Sequence, residues 1–394
     1  MPQVETVETP AARPENLSRP SGARSRVSLA VYVLLLSLVS MHLYRTPTYS
    51  MDSLQYMGNA LLMEERDPVR IHQRVYDELR RSVPKIPLDQ LLGQQAGTSD
   101  DQNESRRMRA HDPYRFAEFL PLFAIRPLYN QTLYLVGKTG VGLVKAGVLI
   151  SVASYFGIGI LLFFWLTPYC GSLLGVAAPL LLMISPPLTL LGRDTTSDAL
   201  ASLVACAALY LIFERLQLAA GMTLLVASIY FRTDFVVLAG PVILACWLER
   251  RLDLWKGAVL SLLAVGSVLC INHFGGDYGI RMLYYRNFIG VPTAPGEMIV
   301  HFSVRDYLSA FRSGITLVED SYFLPFLLLG TLGLRPLRNR SLFAVTLAYV
   351  LLHFVILPNW QERWVAVFYV AMLVCAVSAQ GSKNVQNEAT AKPA

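Results

Sequence analysis

Tyr49-Ser-Met-Asp-Ser-Leu-Gln-Tyr-Met-Gly-Asn-Ala-Leu-Leu-Met-Glu65 follows the first strongly apolar run of the chain, and its periodicity decides how the rest is read. At 100° per residue, Met51, Leu54, Gly58, Leu61 and Leu62 share one side, while Asp52, Tyr56 and Asn59 share another. Such a helix is fit to lie on a membrane surface. Its apolar side is expected in the headgroup boundary, and its polar side would present a carboxylate, a phenol and an amide to the protein or to water.

The composition agrees with a membrane setting. Of 394 residues, 54% are hydrophobic and 16% charged, where a soluble domain carries about 25% charged residues. The net charge of +6 is scattered over the N-terminus and several loops and builds no aromatic-interleaved basic face, so no nucleic-acid partner is expected. Cys170, Cys206, Cys246, Cys270 and Cys375 lie in or beside apolar runs without close pairs, and read as small core residues.

In chain order, residues 1–26 are rich in Pro, Glu, Ser and Arg and are expected to be a disordered cytoplasmic tail, matched by a second tail at 380–394. Between them, 27–379 form one transmembrane domain. Val27 to Tyr44 reads as an uncleaved span, because no small-x-small cleavage site follows it. Arg19, Arg24 and Arg26 place its start in the cytoplasm. Residues 45–124 are then a long first extracytoplasmic loop carrying the amphipathic helix, a charged helical stretch from Val69 to Arg81 and a mobile piece from Gln94 to Glu104. Asn103-Glu-Ser and Asn130-Gln-Thr fit the glycosylation pattern, a short pattern of little weight. Gly137-Lys138-Thr139 lacks the glycine that a phosphate-binding loop needs five residues earlier, where Thr132 stands.

Apolar segments follow at 145–167, 171–191, 196–213, 217–231, 235–248, 255–273, 321–334, 341–357 and 363–379. With the first span they make about ten transmembrane helices in an all-α polytopic membrane protein, both termini cytoplasmic. Several are shorter than the roughly 20 residues of a straight span. Threaded this way, the basic short loops Glu249-Arg-Arg-Leu-Asp-Leu-Trp-Lys256 and Arg335-Pro-Leu-Arg-Asn-Arg340 fall inside, as the positive-inside rule requires.

The same threading gathers charges outside: Asp52, Arg126 and Tyr129, Arg193 with Asp194 and Asp198, Arg232 with Asp234, and Arg363, beside a second large loop at 274–320. Each has an ordinary explanation taken singly: Asp198 as the acid three residues after a Thr195 cap, Arg232 and Asp234 as a turn ion pair, Arg363 as a snorkelling side chain, and Arg286 and Arg305 as loop charges. Charges at membrane depth on one face argue together for a site.

Met51-Asp-Ser-Leu-Gln-Tyr-Met-Gly-Asn-Ala60 after a first span, Arg126-Pro-Leu-Tyr129, Ser197-Asp-Ala-Leu-Ala-Ser-Leu203 and the Arg232-x-Asp234 turn together resemble the multi-spanning C-type (GT-C) glycosyltransferases. The pattern is nearest to bacterial members related to protein O-mannosyltransferases, which use polyprenyl-phosphate sugar donors. Two departures stand out: Ser53 where many members have a second acid, and Arg-Pro-Leu where many have Lys-Pro-Pro. The resemblance implies an inner-membrane enzyme with an extracytoplasmic site. Asp52 would act as general base on a hydroxyl acceptor, with inversion at the anomeric carbon. Arg126 and Arg232, then Arg363 and Arg193, would hold the donor phosphate, since a guanidinium offers a fork of donors to its oxygens. Tyr56, Asn59, Tyr129, Asp198 and Asp234 complete the expected substrate contacts. No cofactor is expected, nor a divalent metal, because Ser53 stands in place of a second acid and a hard cation wants several oxygen ligands; Asp194, Asp198 and Asp234 are the residues that could still supply them.

The main alternative is a transporter or flippase for a lipid-linked or anionic solute, which predicts polar groups at mid-membrane or an internal repeat. The spans are instead mostly Leu, Val, Ala and Gly. An O-acyltransferase built on His353 has no evident partner residue in the sequence, and a non-catalytic assembly factor would leave Asp52 dispensable.

Overall fold

A computed structural model describes residues 22–94, 100–170, 172–276, 278–290, 295, 296, 298, 301–334 and 337–390. Among them the chain is helical throughout, with one isolated bridge, Thr48 to Asp194. Residues 1–21 and 391–394 of the two expected tails lie outside the described residues, as do 95–99 of the segment expected to be mobile.

The first helix, α1 (Gly22–Arg45), leads into six short helices: α2 (Met51–Leu61), α3 (Pro68–Ser82), α4 (Lys85–Leu91), α5 (Asp100–His111), α6 (Pro113–Glu118) and α7 (Pro121–Ala124). Proline and a capping acid start two of them. Asp67 accepts the Val69 N–H ahead of Pro68, and Asp112 accepts the Tyr114 and Arg115 N–H groups around Pro113. In α3, Ile71, Val75, Tyr76 and Leu79 recur at helical spacing and are buried.

This segment packs into an apolar core that extends beyond it to Leu133, Leu143, Ala146 and Ile150. Leu54, Met57, Ala60 and Leu61 of α2 close with Phe116, Leu120 and Phe123, and with Leu133 of α8 (Pro127–Val136), into one apolar cluster. Leu54, Gly58 and Leu61 of the apolar side of α2, expected in the headgroup boundary, are therefore covered by protein, while Leu62 stays exposed. Gly58 makes the approach possible, because a Cβ there would sit 2.5 Å from Leu120 Cδ2 and 3.1 Å from the Phe116 ring. Gly58→Val should overpack this contact and destabilise the fold by about 1–3 kcal/mol, read as a lowered unfolding midpoint in detergent, whereas Leu120→Ala in the same background should recover part of the loss. Asn103 and Asn130 are both buried, so neither glycosylation pattern is accessible.

After a π turn at Gly137–Val141, the remaining helices are α9 (Leu143–Leu166), α10 (Ser172–Met183), α11 (Pro186–Arg193), α12 (Asp198–Leu209), α13 (Leu218–Phe231), α14 (Val236–Leu248), α15 (Leu254–Phe274), α16 (Gly279–Phe288), α17 (Val304–Glu319), α18 (Phe323–Thr331), α19 (Leu337–Ile356) and α20 (Ala366–Thr390). The last runs through most of the segment expected to be a tail. The apolar helices bury a second, larger core that includes Tyr32, Tyr155, Trp165, Phe213, Phe235, Tyr349 and Phe368.

Among the described residues five helices are long and apolar enough to cross a membrane: Arg26–Arg45, Leu143–Tyr169, Leu254–Phe274, Asn339–Ile356 and Glu362–Ala379. A bent pair, Leu173–Met183 with Pro186–Arg193, would make a sixth. The segment expected as one span at 171–191 is thus broken by 62°. Pro186 and Pro187 cause the break: neither has an N–H for the ladder, and each disfavours helical geometry in the residue before it. Leu218–Phe231 and Thr233–Leu248 are apolar but shorter. The chain is therefore a helical membrane protein.

These helices put their charges at one end. Arg193 ends α11, Asp198 opens α12, Arg232 follows α13, Asp234 precedes α14, His353 is near the end of α19 and Arg363 precedes α20. The basic segments at the far ends of α14 and α19 lie together on the other side of the bundle, where the Ser341 hydroxyl donates to the Glu249 carboxylate.

Candidate functional site

The site is assembled by pinning the start of α2 to the turn between α11 and α12. The Thr48 N–H donates to the Arg193 carbonyl at 2.9 Å, and the Thr195 N–H donates to the Thr48 carbonyl at 3.3 Å. The Ser53 hydroxyl donates to the Thr195 carbonyl at 3.0 Å. Ser53 is thus a tether between the two strands of chain. The exposed Arg193 side chain serves the same joint, its Nε donating to the Thr46 carbonyl at 2.7 Å. Among the described residues Arg193 makes no ion pair with the acids of the site; this backbone brace is the contact its side chain makes.

On this frame four carboxylates and their basic partners form one network. Arg286 of α16 donates to Asp52 Oδ1 at 2.8 Å. Arg363 lies 3.9 Å from Asp52 Oδ2 and 3.2 Å from Asp198 Oδ2, and donates to Asp194 as well. Arg232 reaches Asp198 Oδ1 at 2.8 Å with one nitrogen and Asp234 Oδ2 at 2.6 Å with another. His353 closes the chain, its Nε2 2.9 Å from Asp234 Oδ2. Arg126 donates to the Tyr56 hydroxyl and lies over that ring, its Cζ 5.3 Å from the ring centre.

Asp52, Arg126, Asp198, Arg232, Asp234 and Arg363 are therefore brought together. Other candidate residues are near but differently engaged. Tyr56 is buried, edge-on to Tyr129 at 4.8 Å between ring centres, so its hydroxyl serves Arg126. Tyr129 is fully buried. Asn59 donates to the Gln55 and Leu120 carbonyls, both at 2.9 Å, and so bridges α2 to the start of α7 instead of facing open space. Arg232 is also enclosed, with its side chain 4% exposed and packed over Trp364 at 5.5 Å. Sequence reasoning left Arg286 and His353 out of the site and gave Asp194, though on the same face, no substrate contact. Their only signal was charge beside an apolar run, because each pairs with residues more than a hundred positions away.

Burial by itself pushes the Asp52 carboxyl up, but Arg286, Arg363 and Arg126 outweigh it and hold the group below the ordinary carboxylate range. Asp194 is the opposite case: burial dominates, Arg363 opposes it, Asp198 and Asp52 add to it, and its carboxyl is raised to about 6. Asp194 Oδ1 is buried without a hydrogen-bond partner among the described residues.

Arg286 and Asp52 keep partly open side chains, 33% and 19% exposed, and Arg363 lies behind them at 13%. Among the described residues no three His, Cys, Asp or Glu side chains converge as a metal site. A cavity of about 400 Å³ opens near the other end of α2, walled by Glu64, Arg74, Glu78, Tyr134 and Lys138. No protein-family model, curated protein or solved structure matches the chain.

Proposed function

We propose that this chain is a membrane glycosyltransferase that moves a sugar from a polyprenyl-phosphate donor to a hydroxyl acceptor. The observation that carries this reading is the convergence of Arg126, Arg286 and Arg363 around the partly open Asp52 carboxylate at one end of an apolar helix bundle. A lipid phosphate leaving group wants fixed positive charge at the membrane boundary, and an attacking hydroxyl wants a base beside it. Both are within one cluster here.

The low basicity of Asp52 fits this chemistry through its partners. Its proton affinity is suppressed because Arg286 and Arg363 neutralise it. When a donor phosphate draws those guanidinium groups to itself, Asp52 loses its counter-charges and becomes a stronger base while it faces the acceptor. The hydroxyl proton passes to Asp52, the acceptor oxygen bonds to the anomeric carbon, and the carbon–oxygen bond to the lipid phosphate breaks, inverting the centre.

We place the cluster on the extracytoplasmic side of the plasma membrane, with both termini inside. The supporting pattern is the basic segments around Arg250, Arg251 and Arg340 at the opposite end of the bundle. In this reading the shorter apolar helices count as spans to make about ten, Leu218–Phe231 and Thr233–Leu248 among them.

Arg286→Ala tests the donor contact, because Arg286 is more open than Arg363 or Arg232. It should lower affinity for a polyprenyl-phosphate sugar by about 10- to 100-fold, as expected when a charge-assisted hydrogen bond of roughly 1.5–3 kcal/mol is lost. The unfolding midpoint should hardly move, since the pair it breaks is partly solvated. Unchanged donor affinity in a folded Arg286→Ala protein would remove Arg286 from the site.

A further inference from the structure

We propose that Asp194 takes up one proton when the donor phosphate enters the arginine cluster, so that donor binding is coupled to proton uptake; this rests on the donor reading above.

The geometry that points to it is the sharing of one guanidinium. Among the described residues Arg363 is the single cation in contact with Asp194, and it also serves Asp198 at 3.2 Å and Asp52 at 3.9 Å. Every other ionisable group facing Asp194 is an acid: Asp198 from α12, Asp52 from α2 and the Tyr129 phenol from α8. The neighbouring Arg193 side chain donates to the Thr46 carbonyl. Asp52 has Arg286 besides Arg363, and Asp198 has Arg232 besides Arg363. Asp194 alone among the three has no second cationic partner among the described residues.

A phosphate that engages Arg363 therefore leaves Asp194 as a buried carboxylate beside two other carboxylates. Its Oδ1 already lacks a hydrogen-bond donor. A buried charge without a partner is relieved by neutralising, and the least supported acid takes the proton first. The free site is already close to this point, since burial holds the Asp194 carboxyl near 6. Protonation there leaves Asp52 ionised, which is the state the transfer step needs.

The sign of the pH dependence follows. The bound state raises the proton affinity of Asp194 above its free value, so donor affinity falls as pH rises above about 6 and levels off below it. Between pH 6.5 and 7.5 the fall should be roughly five- to tenfold, approaching the limit of one proton per site.

The test is calorimetric titration of the full chain in lipid nanodiscs with farnesyl methyl phosphate. This phosphodiester is singly charged and lacks the second phosphate ionisation near pH 6 that a monoester would bring into the measurement. At pH 7, buffers of different ionisation enthalpy should report uptake of roughly 0.9 proton by the wild type, because a group titrating near 6 starts about one-tenth protonated. Asp194→Asn should bind with uptake near zero and with affinity flat in pH. Binding by the wild type without proton exchange overturns the coupling while the donor reading stands. So does full uptake retained in a folded Asp194→Asn protein, which would put the proton on Asp52 or His353. Failure of the phosphodiester to bind at all overturns both, and the wild-type measurement needs no variant to fold.

Discussion

Asp52→Asn is expected to lower the rate of sugar transfer by about 100- to 10,000-fold, the range a positioned general base contributes, with donor binding kept or tightened. The amide preserves the shape of the side chain but carries no charge and accepts no proton from an acceptor hydroxyl. Arg286 and Arg363, now 2.8 and 3.9 Å from the Asp52 oxygens, would lose an anionic partner. Both would be freer to engage a phosphate, so the donor affinity of the variant should equal or exceed that of the wild type. Single-turnover transfer measured beside donor titration separates the two effects. A variant with weaker donor binding and an undiminished transfer step would mean that Asp52 organises the arginines and does not act on the acceptor.

The second large effect is expected from Arg232→Ala, and it is on folding. Arg232 lies between Asp198 at 2.8 Å and Asp234 at 2.6 Å, all three being largely enclosed, and Trp364 and Phe235 flank its guanidinium. Its removal leaves two buried carboxylates without their main counter-charge, a change that costs about 3–5 kcal/mol when one member of a buried pair is lost. Arg232→Lys should not restore the loss, because a single ammonium lacks the planar fork that reaches two carboxylates at once. Thermal unfolding in detergent would read the destabilisation. A well-folded Arg232→Ala protein that lacks only donor binding would restore Arg232 as a phosphate ligand and contradict its assignment as a structural clamp.

What could be read from the sequence depended on the range of the interactions. The membrane class followed from composition, and the helical character of α2 from the spacing of Leu54, Gly58 and Leu61. Charges at helix ends were visible as Arg232 with Asp234 and as Asp198 opening an apolar run. Local periodicity does not say what covers a face, so the apolar side of α2 was assigned to lipid although Phe116 and Leu120 cover it at Gly58. Nor does it say which charges meet. Asp52 and Arg286 are 234 positions apart, and Asp234 and His353 are 119 apart. The helix ending at Arg193 was merged into a longer span because apolar content masked the break at Pro186 and Pro187. Asn59 shares the helix side of Asp52, yet two backbone carbonyls occupy its amide, a contact set by tertiary packing alone.

The central claim is a transferase whose base is Asp52. Its most direct test is sugar transfer in membranes carrying wild type or Asp52→Asn at matched expression, supplied with a mixed pool of polyprenyl-phosphate sugars. The expected result is sugar passed to an endogenous hydroxyl acceptor by the wild type and lost in Asp52→Asn with donor binding retained. Movement of lipid-linked sugar between leaflets without any transfer, left intact by Asp52→Asn, would contradict the account and make the chain a transporter.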